Sequence, residues 1–214
     1  MSLIAKAGTN SSFKPVPPGM HLGRLYRIID LGTQTTEHLG KAKSSHKVML
    51  QWEVHSEDDA GVPTVTDDGK PLSLSKNYTL TLDERGTLRK DLQTWRGRDF
   101  SEDELHGFDI KAVLGQWAML SVIKAQGNNG KEYTNVAAVM SVPKSVRAAG
   151  LPEPHNEPKM FVIDTPDMDM FEKFSENVRA KISSSPEWQA RGKSSGKSSA
   201  KTSFDDMEDD VPFN

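Results

Sequence analysis

The chain has 214 residues, 27% of them charged and 35% apolar, with a net charge of −3 and no cysteine. Such a length allows one or two domains, and the low apolar fraction implies a folded body with a sizeable polar appendage. The missing cysteines exclude disulfides and Cys-ligated zinc and fit an intracellular, cytoplasmic chain, and no apolar run approaches the ~18 residues of a membrane span.

Residues 1–18 are polar, with Pro15, Pro17 and Pro18 near their end. They are expected to form a flexible N-terminal arm, and Met1 to Phe13 lacks the basic-then-apolar order of a secretion signal. His21 to Thr35 alternates as a first strand, with Leu25, Ile29 and Leu31 on one parity and Arg24 and Tyr26 on the other. A loop with Gly40, Lys41 and Lys43 follows. Lys47 to His55 is a second strand, with Val48, Leu50, Trp52 and Val54 facing one way. In the acidic stretch Ser56 to Pro71, Asp68-Gly69 is a hairpin signal that would pair Thr64–Thr66 with Leu72–Leu74. Lys76 to Leu82 is a third strand.

The period then changes. Leu88, Leu92 and Trp95 are spaced four and three apart, a helical face ended by Gly97. Ser101 and Glu104 have the spacing of a capping box, which starts a second short helix. Trp117 to Lys124 and Tyr133 to Val142 are strands joined through Asn129-Gly130, the strongest turn signal in the chain. Residues 144–190 read as a Pro-marked linker and an amphipathic helix, Pro166 to Ile182. Its stripe of Met170, Phe171, Phe174 and Val178 should pack on the body or on a second copy of the chain in a homo-oligomer. Residues 191–214 read as a disordered Gly/Ser/Lys segment and an acidic tip.

The order strand, strand, strand, helix, strand, strand is that of an oligonucleotide-binding (OB) fold. The expected fold class is all-β with a helical insertion, a five-stranded OB-fold barrel over residues 19–143. An open α+β sheet is the competing arrangement.

The last ten residues, Asp205 to Asn214, hold five carboxylates closed by an apolar knob, Val211-Pro212-Phe213. Pro212 stiffens the backbone and holds an aromatic side chain out in water, which suits a docking peptide for an apolar, basic-rimmed pocket; from composition alone an acidic solubility tail is the other reading. This run resembles the C-terminal tip of bacterial and phage single-stranded DNA-binding proteins. The resemblance implies that Asp209, Asp210, Val211, Pro212 and Phe213 dock replication and recombination enzymes. Here Asn214 follows Phe213, so the terminal carboxylate sits one residue further out than is usual in that family. Trp95-Arg96-Gly97-Arg98-Asp99-Phe100, with Gly107-Phe108-Asp109 after it, also resembles a segment of some phage single-stranded DNA-binding proteins.

An OB fold binds across strands two and three between the loop after strand one and the loop joining strands four and five. The first loop and its flank carry Lys41, Lys43 and Lys47, and the second is bounded by Lys124 and Lys131. Both are therefore basic, as a track for phosphates requires. Bases need stacking platforms, for which Tyr26 beside Arg24 and Tyr133 beside Lys131 are the better candidates, and Tyr78 beside Lys76 the next. Trp52 and Trp95 fall on apolar faces and read as core. Arg96 and Arg98 could grip a phosphate, or could instead pair with carboxylates such as Asp99 and Asp103. No catalytic or metal-ligand spacing stands out, so no enzyme activity, cofactor, metal or membrane partner is expected. The expected function is coating of single-stranded DNA during replication, recombination or repair, in the host cytoplasm if the chain is phage-encoded. The alternative is an OB-type assembly module that never touches nucleic acid.

Overall fold

A computed structural model of the chain describes residues 15–38, 40–57, 61–63, 65–126 and 132–194. Its backbone is organised on a long antiparallel ribbon. β1 (Gly19–His38) and β2 (Lys41–His55) pair from Leu22↔His55 out to His38↔Lys41. β3 (Leu72–Thr79) joins β2, β4 (Trp117–Gln126) joins the first half of β1, and β5 (Glu132–Met140) joins β4. The sheet order is β3-β2-β1-β4-β5, and a short β6 (Lys159–Phe161) lies parallel to β1.

The chain is thus mostly β with helical parts, in the expected element order. The sheet is open, because β3 and β5 stand at its two ends without a ladder between them. What spans that gap is α1 (Thr87–Arg96) together with single side chains. Thr94 Oγ1 donates to Val139 O at 2.7 Å, and Lys76 Nζ on β3 reaches Ala137 O on β5 at 3.1 Å.

The main core lies between the sheet and α1. Val48, Leu50, Trp52 and Val54 all point into it, as their alternation requires. Leu88, Leu92 and Trp95 meet them from the helix, with the Trp52 and Trp95 rings 6.2 Å apart. Trp95 Nε1 donates to Trp117 O at 2.7 Å, so the indole is satisfied while buried. Gly97 ends α1 at φ 68°, where a side chain would be strained. The capping box of Ser101 and Glu104 opens α2 (Glu102–His106). A 3-10 turn over Ile110–Val113 leads into β4.

Several expectations differ from the structure. The loop expected to carry Gly40, Lys41 and Lys43 is mostly paired ribbon, because the β1–β2 ladder continues through Thr36↔Lys43, Glu37↔Ala42 and His38↔Lys41 and puts both lysines in β2. The parity of β1 is broken by bulges at Leu25/Arg27 and Asp30/Gly32, so Leu25 and Ile28 enter the main core while Ile29 and Leu31 point away from it. Asp68-Gly69 does turn the chain back, with Thr66 N donating to Lys70 O at 2.9 Å and Val65 bridging Pro71, but Leu72–Leu74 also opens β3 and pairs with Val54 to Trp52, where both leucines are buried. The expected helix Pro166–Ile182 is two helices, α4 (Met168–Glu172) and α5 (Glu176–Ser184), broken around Phe174. A short α3 (Lys144–Ala149) precedes them, and α6 (Pro186–Ser194) follows.

α4, α5 and α6 cover the second face of the ribbon. Ile29, Leu31 and Met49 pack there against Phe161, Ile163, Met170, Phe174 and Ile182. Phe171 stacks on Trp188 at 4.6 Å, and Phe161 meets Phe174 edge-on at 5.2 Å. The apolar stripe of the C-terminal helices is therefore buried on its own chain's β1 and β2. No helix among the described residues is long and apolar enough to cross a membrane.

Candidate nucleic-acid interface

By strand parity Lys41, Lys43, Lys47 and Tyr133 point away from the main core, on the face that α4, α5 and α6 cover around Ile29, Leu31 and Met49. Val48, Leu50 and Trp52 face the core, so Lys41, Lys43 and Lys47 take the opposite face of β2. Val122 and Leu120 likewise face the core, which turns Ile123 and Ala125 outward; Tyr133 pairs with Ala125 and so shares their side. Tyr133 is 50% exposed and Ile123, its diagonal neighbour across the hairpin, 49%. Lys41 and Lys43 are exposed, whereas Lys47 is half-buried and its Nζ donates to Thr79 Oγ1 at 2.6 Å. Lys124 is exposed on the other side of its hairpin from Tyr133, with Nζ 3.8 Å from the Glu132 carboxylate. Lys131 and the tip Asp209–Phe213 lie outside the described residues.

Four sequence candidates are committed to the fold instead. Arg24 is buried beside the fully buried Glu53, Nη1 to Oε1 3.6 Å. It donates from Nε to Gly115 O at 3.1 Å and from Nη1 to Asn156 O at 2.9 Å, which leaves little for a phosphate. Tyr26 occupies the β1 bulge and is buried, and that burial pushes its hydroxyl above the ordinary tyrosine value. Arg27, which sequence reasoning passed over, sits 5.1 Å from the Tyr26 ring centre and 5.8 Å from that of Phe174.

Lys76 and Tyr78 have the wrong parity for the outer face, since they pair with Leu50 and Val48. Both reach the same oxygen of Asp91 on α1, each at 2.7 Å. Burial first, and then the Asp91 charge, raises the Tyr78 hydroxyl far above its usual range. This trio ties β3 to α1 and offers no ring to a base.

Arg96 and Arg98 are brought together, though by neither Asp99 nor Asp103. Their common partner is Glu104. Arg98 forks onto it through Nη1 to Oε2 at 2.9 Å and Nη2 to Oε1 at 2.8 Å, while Arg96 Nη2 donates to Oε1. Ser101 N adds a further bond to Oε2 at 3.0 Å. The hydrogen bonds from Arg98, then Ser101, then Arg96 hold the Glu104 carboxyl at about 2, well below the usual range. Arg96 also packs against two aromatic rings that meet edge-on, its guanidinium 4.5 Å from the Phe100 centre and 4.9 Å from the Phe108 centre. The two arginines border a cleft of about 410 Å³ whose wall also includes Trp117 and Arg147.

Glu104 and Arg147 were missed as site residues for different reasons. The capping spacing identified Glu104 but accounted for it as a cap alone. Arg147 sits in α3, in a stretch that Pro-rich composition marked as linker. Compared with known proteins, the chain matches no family model and no curated sequence.

Proposed function

We propose that this chain binds single-stranded DNA without catalysing a reaction on it, using an OB-type sheet, and recruits replication or recombination enzymes through its acidic tip. The observation that carries the reading is the shared face of Lys41, Lys43, Lys47 and Tyr133, on the side of the sheet opposite the main core. Cations spaced along a strand follow a phosphate backbone, and an exposed ring accepts any base by stacking. The element order and the helix between β3 and β4 support the OB assignment. The C-terminal resemblance supports the recruiting role.

Gel shift with single-stranded DNA, duplex DNA and single-stranded RNA of equal length tests the reading. Single-stranded DNA should shift at the lowest protein concentration. Equal retardation of all three would reduce the interaction to nonspecific charge.

The assembly reading is favoured by a different feature, a groove of about 170 Å³ bordered by Leu80 (45% exposed) and Leu105 (38% exposed). Exposed leucines on a groove are a usual mark of a protein partner. A chain that retards none of the three nucleic acids would favour it.

A further inference from the structure

The cleft between the end of α1, α2 and α3 lies apart from the two hairpins, and its chemistry is unusual for a structural ion pair. Three guanidiniums, of Arg96, Arg98 and Arg147, share its wall with one carboxylate, that of Glu104. One carboxylate leaves a net local charge of +2. Arg96 packs against Phe100 and Phe108, and its Nη1 is buried with no hydrogen-bond partner among the described residues, so its charge beneath the cleft is only partly met by Glu104. Arg98 is 59% exposed at its side chain, and Arg147 is exposed and lines the same cleft, with no side-chain hydrogen bond or ion pair among the described residues.

We propose that this cleft is a phosphate-binding site, which takes one backbone phosphate of a bound single strand beyond the reach of the hairpins. Arg98 and Arg147, the two exposed guanidiniums, would hold the phosphate oxygens, with the charge of the buried Arg96 behind them. A guanidinium pairs with a phosphate through parallel N–H···O bonds, which suits an anion with more acceptor atoms than a carboxylate. Glu104 is then an internal stand-in: it keeps Arg98 oriented when the site is empty and competes with the phosphate for it. Trp117 beside the cations supplies an aromatic wall for the attached nucleotide. The source of the phosphate rests on the single-strand reading above; the site itself rests on the cleft.

The test uses the full chain and two variants. Arg98→Ala with Arg147→Ala removes two exposed side chains. Glu104→Gln keeps the shape and a residue that serves the capping box while removing the charge. Oligonucleotide affinity across a salt series should fall about tenfold for the double variant, with the slope of log K against log salt reduced by about 0.7, the value for one lost phosphate contact. Glu104→Gln should bind severalfold more tightly; a purely structural role for Glu104 predicts no gain. Wild-type affinity and slope in both variants would overturn the site while leaving the single-strand reading intact.

If the wild-type chain binds no oligonucleotide, titration with inorganic phosphate and thymidine monophosphate, followed by tryptophan fluorescence, decides the matter. Saturation that is lost in the double variant keeps the site with a free nucleotide or phosphate as its ligand, and no response overturns it. A peptide of Asp205–Asn214 is the remaining arm. If it binds the wild type and not the double variant while oligonucleotide binding ignores the substitutions, the cleft is a peptide site and the phosphate assignment is wrong.

Discussion

The carboxylate of Glu53 is sealed by Asn156, a residue 103 positions later in the chain. Glu53 Oε2 accepts from both the backbone N and the Nδ2 of Asn156, each at 2.7 Å, and Oε1 accepts from His155 N at 3.2 Å. Burial raises the Glu53 carboxyl, but the bonds from Asn156 and His155 outweigh it and leave the group below its ordinary value. The segment that composition marks as a linker is therefore a cap on β2, held by a buried charge.

Removing that charge should be costly. Glu53→Ala leaves Arg24 buried without its counter-ion and should lose about 3–5 kcal/mol in urea unfolding. Asn156→Ala leaves the carboxylate partly satisfied by His155 and should lose less, about 1–3 kcal/mol. Equal, negligible losses would mean that the segment does not hold Glu53 in solution.

Gly32 is the second point of attachment. Its φ is 65°, and a Cβ built there would lie 2.6 Å from both Cβ and Oγ of Ser185. Next to it, Glu187 accepts from Thr33 N at 2.9 Å and Thr33 Oγ1 at 2.5 Å, which pins the start of α6 to β1. Gly32→Ala should cost about 1–3 kcal/mol and loosen α5 and α6. Hydrogen exchange should show lost protection there first, with β4 and β5 unaffected. Uniform protection across the variant would contradict this.

The two tyrosines should separate stability from binding. Tyr133→Ala is predicted to weaken oligonucleotide binding by about 1–3 kcal/mol at unchanged melting temperature. Tyr78→Phe removes a donor to Asp91 and should cost about 1–2 kcal/mol of stability at unchanged affinity of the folded protein. A reversal of the two phenotypes would exchange their roles.

The Glu104 carboxylate should keep its charge at a pH where ordinary glutamates have already protonated. Its folded carboxyl lies at about 2 against an ordinary value of 4.5, so it is depressed on folding. The stability it contributes is complete above the ordinary value and is lost progressively as pH falls from there through about 2. Carbon-detected NMR of the side-chain carboxyl should show no titration of Glu104 where exposed glutamates already protonate. A midpoint near the ordinary value would show that Arg96 and Arg98 do not hold it.

What was legible in the sequence was local. Strict alternation from Val48 to Val54 placed β2, helical spacing of Leu88, Leu92 and Trp95 placed α1, and the Ser101–Glu104 box placed α2. What was not legible depends on contacts between distant segments. The bulge at Tyr26 reverses the parity of β1, and nothing in its neighbours signals that shift. Lys76 and Tyr78 look like a binding pair until Asp91 is seen above them, because a lysine at an inward position is hidden by its own polarity. Arg24 is absorbed by Glu53 and by a segment 132 residues away. The candidate surface was half legible: Tyr133 follows from the turn at Asn129-Gly130, and Lys41 and Lys43 are exposed as expected but on paired strand β2 rather than in a loop, whereas Arg147 joins Arg96 and Arg98 only through the packing of α3.

The central claim, that the outer face of the sheet holds single-stranded DNA by its phosphates and bases, is tested most directly by fluorescence anisotropy of a labelled oligonucleotide over a salt series. Wild-type log affinity should fall linearly with log salt concentration. Lys41→Ala with Lys43→Ala should weaken binding to every sequence and reduce the slope by about 0.7 for each lost phosphate contact. An affinity that ignores salt, or a double variant whose affinity and slope match the wild type, would contradict the account.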